Sequence, residues 1–172
     1  SLTGTLDRAL GENVGLYAIG QGTLSAGANY TLTYVANNLD ITAAPLTITA
    51  NDDTRVYGAA NPTFTASYTG FVNGDTTASL TTPVILGTTA VPTSPVGTYP
   101  ITATGATSSN YTITHVDGTL TVTIAPLTVT ADPQTKVYGT LDPVLTYQIT
   151  TGALASGDSL VGTLDRVAGE TV

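Results

Sequence analysis

The sequence predicts a mostly β protein made of small tandem modules set end to end as a rod. Three observations predict it. Residues 46–126 begin LTITANDDTRVYG and end NYTITHVDGTLTVTIAP, and LTVTADPQTKVYG at 127–139 restarts the pattern, Leu127 standing 81 residues after Leu46. A fixed period of that size marks repeats as large as a small domain. Thr alternates with apolar residues along much of the chain, the period-two signature of half-buried strands. The repeats join through Ala44-Pro45 and Ala125-Pro126 with no Gly/Ser linker, so each junction should be extended and stiff.

The boundaries follow from the repeat. Residues 1–45 read as the C-terminal part of one module, 46–126 as a complete module and 127–172 as the N-terminal part of the next. SLTGTLDRALGENV (1–14) recurs as SLVGTLDRVAGETV (159–172), 158 residues on, so a second module type of 77 residues should alternate with the first. The chain is expected to be a window on a longer array, with any export signal outside it.

Taken in order, VGLYAI (14–19) reads as a strand after a Gly-containing turn, and 21–28 as loop with a short apolar step at Leu24. NYTLTYV (29–35) sets Tyr30, Leu32 and Tyr34 on one face and Thr31 and Thr33 on the other, with LDITAA (39–44) as its hairpin partner. LTITA (46–50) is a strand entered from Pro45, and PTFTASYTG (62–70) is the next. Asn73-Gly74-Asp75 is a turn able to cap one or two turns of helix. TPVILG (82–87) reads as a short buried strand and TTAVPTSP (88–95) as loop. In VGTYPITATG (96–105), Pro100 restricts the strand to an edge or to the unpaired side of a ladder. NYTITHV and GTLTVTIA (110–125) predict a hairpin across Asp117-Gly118. LTVTA (127–131) and VLTYQIT (144–150) repeat the opening strands.

Composition excludes several functions. No Cys is present, so no disulfide, thiol nucleophile or thiolate metal site can form. Four basic residues against 12 acidic ones give a net charge of −8, which repels nucleic acid and anionic membranes. No apolar run approaches the roughly 18 residues of a membrane span. With 41% hydrophobic and only 9% charged residues, the chain does not resemble a disordered acidic tail.

His115 is the sole histidine, so a multi-His metal site is impossible; it stands where Tyr34 stands in the sister segment, which points to packing. Glycine-rich phosphate-binding patterns are absent. Asp52, Asp53 and Asp132 lie just past the junctions, where calcium would stiffen a rod, but neither DxDxD nor GGxGxD spacing occurs. Thr-x-Thr faces at 47–49, 121–123 and 128–130 read as ordinary solvent faces rather than ice-binding ones. Residues 46–126 contain no Lys, which excludes a Lys–Asn isopeptide staple there. No catalytic, cofactor-binding or metal-binding residue is therefore expected, and the chain is not expected to be an enzyme.

The recurring polar residues have a structural reading. Arg55 and Lys136 precede Val-Tyr-Gly, while Arg8 and Arg166 end GTLDR, so all four cations sit in repeated motifs. They are expected to form salt bridges or clamps on backbone loops. Tyr57 and Tyr138 should pack on the module body and pin the loops before Asn61-Pro62 and Asp142-Pro143.

The Arg/Lys-Val-Tyr-Gly element, the Asn/Asp-Pro four residues after its Tyr, the NGD or SGD turn, VGxYxI and the NYT ending occur in one order throughout. Together they resemble the YGX-type MBG modules of giant bacterial surface exoproteins, among them filamentous-haemagglutinin-like adhesins. The resemblance covers essentially the whole chain in both module types. It implies β-grasp-like modules, an Ig-like module being the other architecture open to the residues, and a secreted, extracellular location on the bacterial cell surface. It supplies no catalytic residues and implies a stalk or filament repeat that extends an adhesive tip or builds a fibre. The alternative is an adhesive module binding a glycan or host protein, with Tyr57 and Tyr138 stacking on sugar beside Asp/Asn-rich loops. The partners expected are neighbouring modules of the same or an adjacent copy, head to tail, since 127–172 and 15–45 together rebuild the 77-residue module.

Overall fold

The structure is a computed structural model that describes residues 1–167 and 169. Those residues form twelve strands: β1 Asp7–Arg8, β2 Gly15–Gly20, β3 Asn37–Ile41, β4 Ala44–Ala50, β5 Asp53–Val56 and β6 Ala66–Thr69. The remainder are β7 Ile85–Gly87, β8 Gly97–Thr104, β9 Tyr111–Val116, β10 Gly118–Thr123, β11 Thr128–Ala131 and β12 Tyr147–Thr151. The only helical element among the described residues is a 3-10 turn at Thr77–Ser79, capped reciprocally by Thr76 and Ser79. Asp75 does not cap it; its carboxylate is taken by Tyr111.

Two compact units can be described. The first comprises Ser1–Asn51, Thr65–Gly87 and Thr102–Asp117. It contains the antiparallel sheet β1-β2-β3 and the sheet β6-β4-β9, in which β4 runs antiparallel to β6 and parallel to β9. β4 reads Ala-Pro-Leu-Thr-Ile-Thr-Ala, and its alternation sends Leu46, Ile48 and Ala50 inward. Leu46 and Ile48 join Tyr111 and Ala106 in a core that Tyr68 and Phe71 border. The Phe71 ring lies edge-on to Tyr111 at 5.5 Å and stacks on Tyr68 at 5.7 Å. In the same unit β7 pairs with the far end of β8, Leu86 opposite Ala103.

The second unit comprises Asp52–Phe64, Thr88–Ile101 and the described residues from Gly118 onward. β10 is its central strand, parallel to β5 and antiparallel to the first part of β8. Leu120, Val122 and Ile101 are fully buried here. β11 and β12 form a two-stranded ribbon whose register slips at Thr128/Val129. That slip is the site of a β-bulge, which accommodates one residue more than the β4–β6 pair holds.

Two expected hairpins do not form. β9 and β10 meet at Asp117 without pairing, because β9 belongs with β4 and β10 with β5 and β8. Asp117 instead accepts the Ala103 amide at 3.1 Å. Likewise β3 pairs with β2, Tyr17 opposite Leu39, and residues 29–35 form no strand. The strand at 111–116, of the same sequence type, is held by β4, and among the described residues no such strand lies beside 29–35. Pro100 faces Thr119 of β10, on a stretch of β8 that β7 does not reach, which is the unpaired side that proline requires.

Candidate functional site

Arg55 is the one buried charged residue among the described residues, 6% exposed on β5. Its Nε donates to Asn61 Oδ1 at 2.8 Å, and Nη1 donates to the Pro92 and Val56 carbonyls at 3.3 and 3.4 Å. Nη2 donates to the Val91 carbonyl. Asn61 completes the set, its Nδ2 donating to the Ala90 carbonyl at 2.7 Å. A buried charge is tolerated when hydrogen bonds replace its water, and here carbonyl dipoles do so without a carboxylate. The product is a clamp that ties the Val-Tyr-Gly loop to residues 90–92.

The equivalent positions in the next repeat use other chemistry. Lys136 Nζ lies 2.7 Å from Asp142 Oδ1 and 3.3 Å from the Thr140 carbonyl. Arg166 Nε lies 2.6 Å from Asp142 Oδ2, and its Nη1 donates to the Val167 and Gly169 carbonyls, both at 3.2 Å. Hydrogen bonds from Arg166 and Lys136 hold the Asp142 carboxyl down to about 2, against an ordinary 3.8. Arg8 repeats the Arg166 pattern with its own neighbours: Nη1 donates to Ala9 and Gly11 carbonyls at 3.1 and 2.7 Å. It also pairs with Glu12 and stands over the Tyr17 ring, 5.7 Å from its centroid. The structure thus brings Arg55 to Asn61, and Lys136 and Arg166 to Asp142, while Arg8 serves a loop of its own.

The two Val-Tyr-Gly tyrosines differ. Tyr57 is half-buried; its amide donates to the Thr123 carbonyl at 2.8 Å, and the nearby Asp158 carboxylate raises the pKa of its hydroxyl above the usual 10.0. Tyr138 is exposed, and the stretch Gln134–Val137 before it forms no strand, whereas Asp53–Val56 before Tyr57 is paired with β10. His115 lies on β9 opposite Ile48, with Nε2 buried and unpartnered. Tyr34, at the matching position, donates its hydroxyl to the Ile19 carbonyl at 2.5 Å.

The junction acids serve as backbone and hydroxyl partners. Asp52 accepts the Thr119 amide, Asp53 the Thr54 amide and Asp132 the Thr146 hydroxyl, each at 2.7 Å. Among the described residues no three His, Cys, Asp or Glu side chains come together to hold a metal ion.

The junction at Pro45 carries contacts that sequence reasoning missed. Asn110 Oδ1 accepts the Val14 amide at 3.1 Å, and its Nδ2 donates to Asn13 Oδ1 at 2.9 Å. The Ala44 amide donates to the Asn110 carbonyl at 3.0 Å. Gly70, at φ +117°, approaches so close that a Cβ would lie 2.3 Å from the Pro45 carbonyl oxygen. Gly152 repeats this at Pro126, at φ +79° and 2.2 Å, so only glycine fits either position. A polar cleft of about 210 Å³ at the first junction is lined by Asn13, Thr42, Asp75 and Asn110, among others. The signal that could have found this lock is the Asn of Asn-Tyr-Thr, which recurs at Asn29 and Asn110.

Comparison with known families finds the family described as MBG domain (YGX type), matched over residues 1–40, 46–121 and 127–172. No curated protein and no solved structure matches the chain.

Proposed function

The chain belongs to the YGX-type MBG domain family, and on that premise we propose that it is a structural repeat of a secreted bacterial surface adhesin. In this reading it extends a binding tip from the cell or builds a fibre outside it. Its work is mechanical; no residue is assigned to catalysis, a cofactor or a resident metal. One observation supports the reading above others: the Pro45 junction consists of strand and clamp. β3 ends at Ile41 and β4 begins at Ala44, leaving only Thr42 and Ala43 between them. Asn110 holds Asn13 and Val14 from the far side of that connection. A connection with few free dihedrals transmits orientation from one module to the next, as a spacer requires. The net charge of −8 adds self-repulsion between neighbouring stalks.

Small-angle scattering on polypeptides of increasing repeat number tests the proposal. A maximum dimension that grows in proportion to repeat number, at constant cross-section, is the expected result. Growth like that of a compact globule would sink it. Specific retention of a glycan by the isolated chain on an array would instead assign these modules to recognition.

A further inference from the structure

The complete repeat pairs its opening strands with its closing strands, and both pairings are parallel. In the first unit Ala44–Thr49 of β4 lie opposite Tyr111–Val116 of β9. In the second, Asp53–Val56 of β5 lie opposite Leu120–Thr123 of β10. Each partner stands 67 positions further along the chain in both ladders. Just before β5, Asp52 Oδ1 accepts the Thr119 amide at 2.7 Å, again 67 positions on. Backbone bonds extend each ladder past its strands. The Ala44 amide donates to the Asn110 carbonyl at 3.0 Å, and the Tyr57 amide to the Thr123 carbonyl at 2.8 Å.

Parallel pairing decides how these ladders meet a pull along the chain. Tension arriving through Thr42 and Ala43 draws β4 from its N-terminal end, and β5 after it through Asn51 and Asp52. Tension leaving through Ile124 draws β10 from its C-terminal end, and β9 with it through Asp117. The two members of each ladder are therefore drawn in opposite directions along their own axes. The bonds of a parallel ladder are evenly spaced, so they share that shear and have to fail together. Two strands pulled apart from the same end would instead lose their bonds one at a time.

The sequence protects both ladders. Amides alternate in direction along a strand, so with the Ala44 N–H on β9 the Pro45 nitrogen faces β6, whose pairing reaches only Thr47. The proline at the junction thus removes no bond from the β4–β9 ladder. Leu46 and Ile48 on β4, and Leu120 and Val122 on β10, are fully buried. A buried face keeps water from replacing each bond as it stretches. Arg55 adds a side-chain tie from β5 to the Val91 and Pro92 carbonyls.

We propose that the repeat is a clamp against tension, in which the β4–β9 and β5–β10 ladders resist stretching of the chain by shear. Its use rests on the stalk reading above, since a stalk transmits every pull on the tip it carries. The clamp itself rests only on the direction and register of four strands.

Single-molecule stretching of the 172-residue chain tests it, with pulling points set by cysteine pairs in a chain that has none of its own. Ala43→Cys with Ile124→Cys pulls the ladders in shear. Ala43→Cys with Ser109→Cys pulls β4 and β9 apart from the same end. All three positions are exposed, so both proteins should keep the melt of the unmodified chain. At one loading rate the shear pair should unfold at a force at least about twofold higher, because its ladder bonds share the load and forced unfolding follows the unfolding rate. Thr42→Cys, also exposed, should give the same ratio in place of Ala43→Cys. Equal forces, or a lower force for the shear pair, would overturn the clamp and leave an extended scattering profile untouched. A compact profile beside a strong shear pair would remove the spacer and keep the clamp.

Discussion

At Arg55 the protein buries a guanidinium against three carbonyls and an amide oxygen, and at Lys136 the same position works beside a carboxylate. The planar fork of Arg reaches several acceptors at once, whereas Lys offers a point charge that needs a concentrated negative partner. Position 61 varies accordingly, Asn with Arg and Asp142 with Lys. Arg55→Lys should therefore destabilise the chain by about 1–3 kcal/mol, by stranding buried acceptors. Adding Asn61→Asp should return part of that loss, with a coupling of roughly 0.5–3 kcal/mol in a double-mutant cycle read by urea melts. Additive losses would separate the two positions. The pH response follows from Asp142. Its folded pKa of about 2 lies below the ordinary 3.8, so its pairing stabilises fully above about pH 4 and is lost as pH falls toward 2. Asp142→Asn should flatten the stability profile in that acid window, measured by thermal melts between pH 2 and 5. Tyr57 has the opposite sign. Its pKa is raised by the nearby Asp158 carboxylate, so that contribution holds below pH 10 and fades as pH rises through the folded value.

At the scale of the element, strands were legible where both faces alternate, and partners were not. LTITA at 46–50, VGTYPITATG at 96–105 and LTVTA at 127–131 all contain observed strands. The Asp117-Gly118 pair is a strong local turn signal, yet β9 and β10 part company there. Pairing with β4 and β5 is parallel and joins residues far apart in sequence, which no local pattern encodes. The clamp was half legible for the same reason: Arg55 and Asn61 stand in a motif, but the Val91 and Pro92 carbonyls come from a loop with no repeat signature. The strand expected at 29–35 does not form for a different reason: its alternation is right, but among the described residues no parallel neighbour like β4 lies beside it. The same contrast predicts mutational cost. Ile48→Ala, at a fully buried site, should cost about 2–5 kcal/mol through transfer and cavity terms. Val129→Ala, at the matching but partly exposed site of a dilute chain, should stay within about 1 kcal/mol. Equal losses in chemical melts would mean that β11 is already covered.

For the molecule as a whole, stability should be concentrated in one place. The fully buried hydrophobic side chains among the described residues fall within 46–122, and of the strands with neighbours on both edges β4, β8 and β10 belong to the central repeat, while β2 lies outside it and is held by β1 over two residues only. Local opening costs least where apolar contacts are few and backbone groups face water, so protection should fall from the central repeat toward the flanking ones. Hydrogen exchange on a dilute chain should find the slowest amides in β4, β8 and β10. Slow exchange is expected at Ile48, Ile101 and Leu120, and near-unprotected exchange at 29–36 and 134–146. β2 and β3 should be intermediate, because they share a full antiparallel ladder but cover no buried residue. Uniform protection along the dilute chain would contradict this hierarchy.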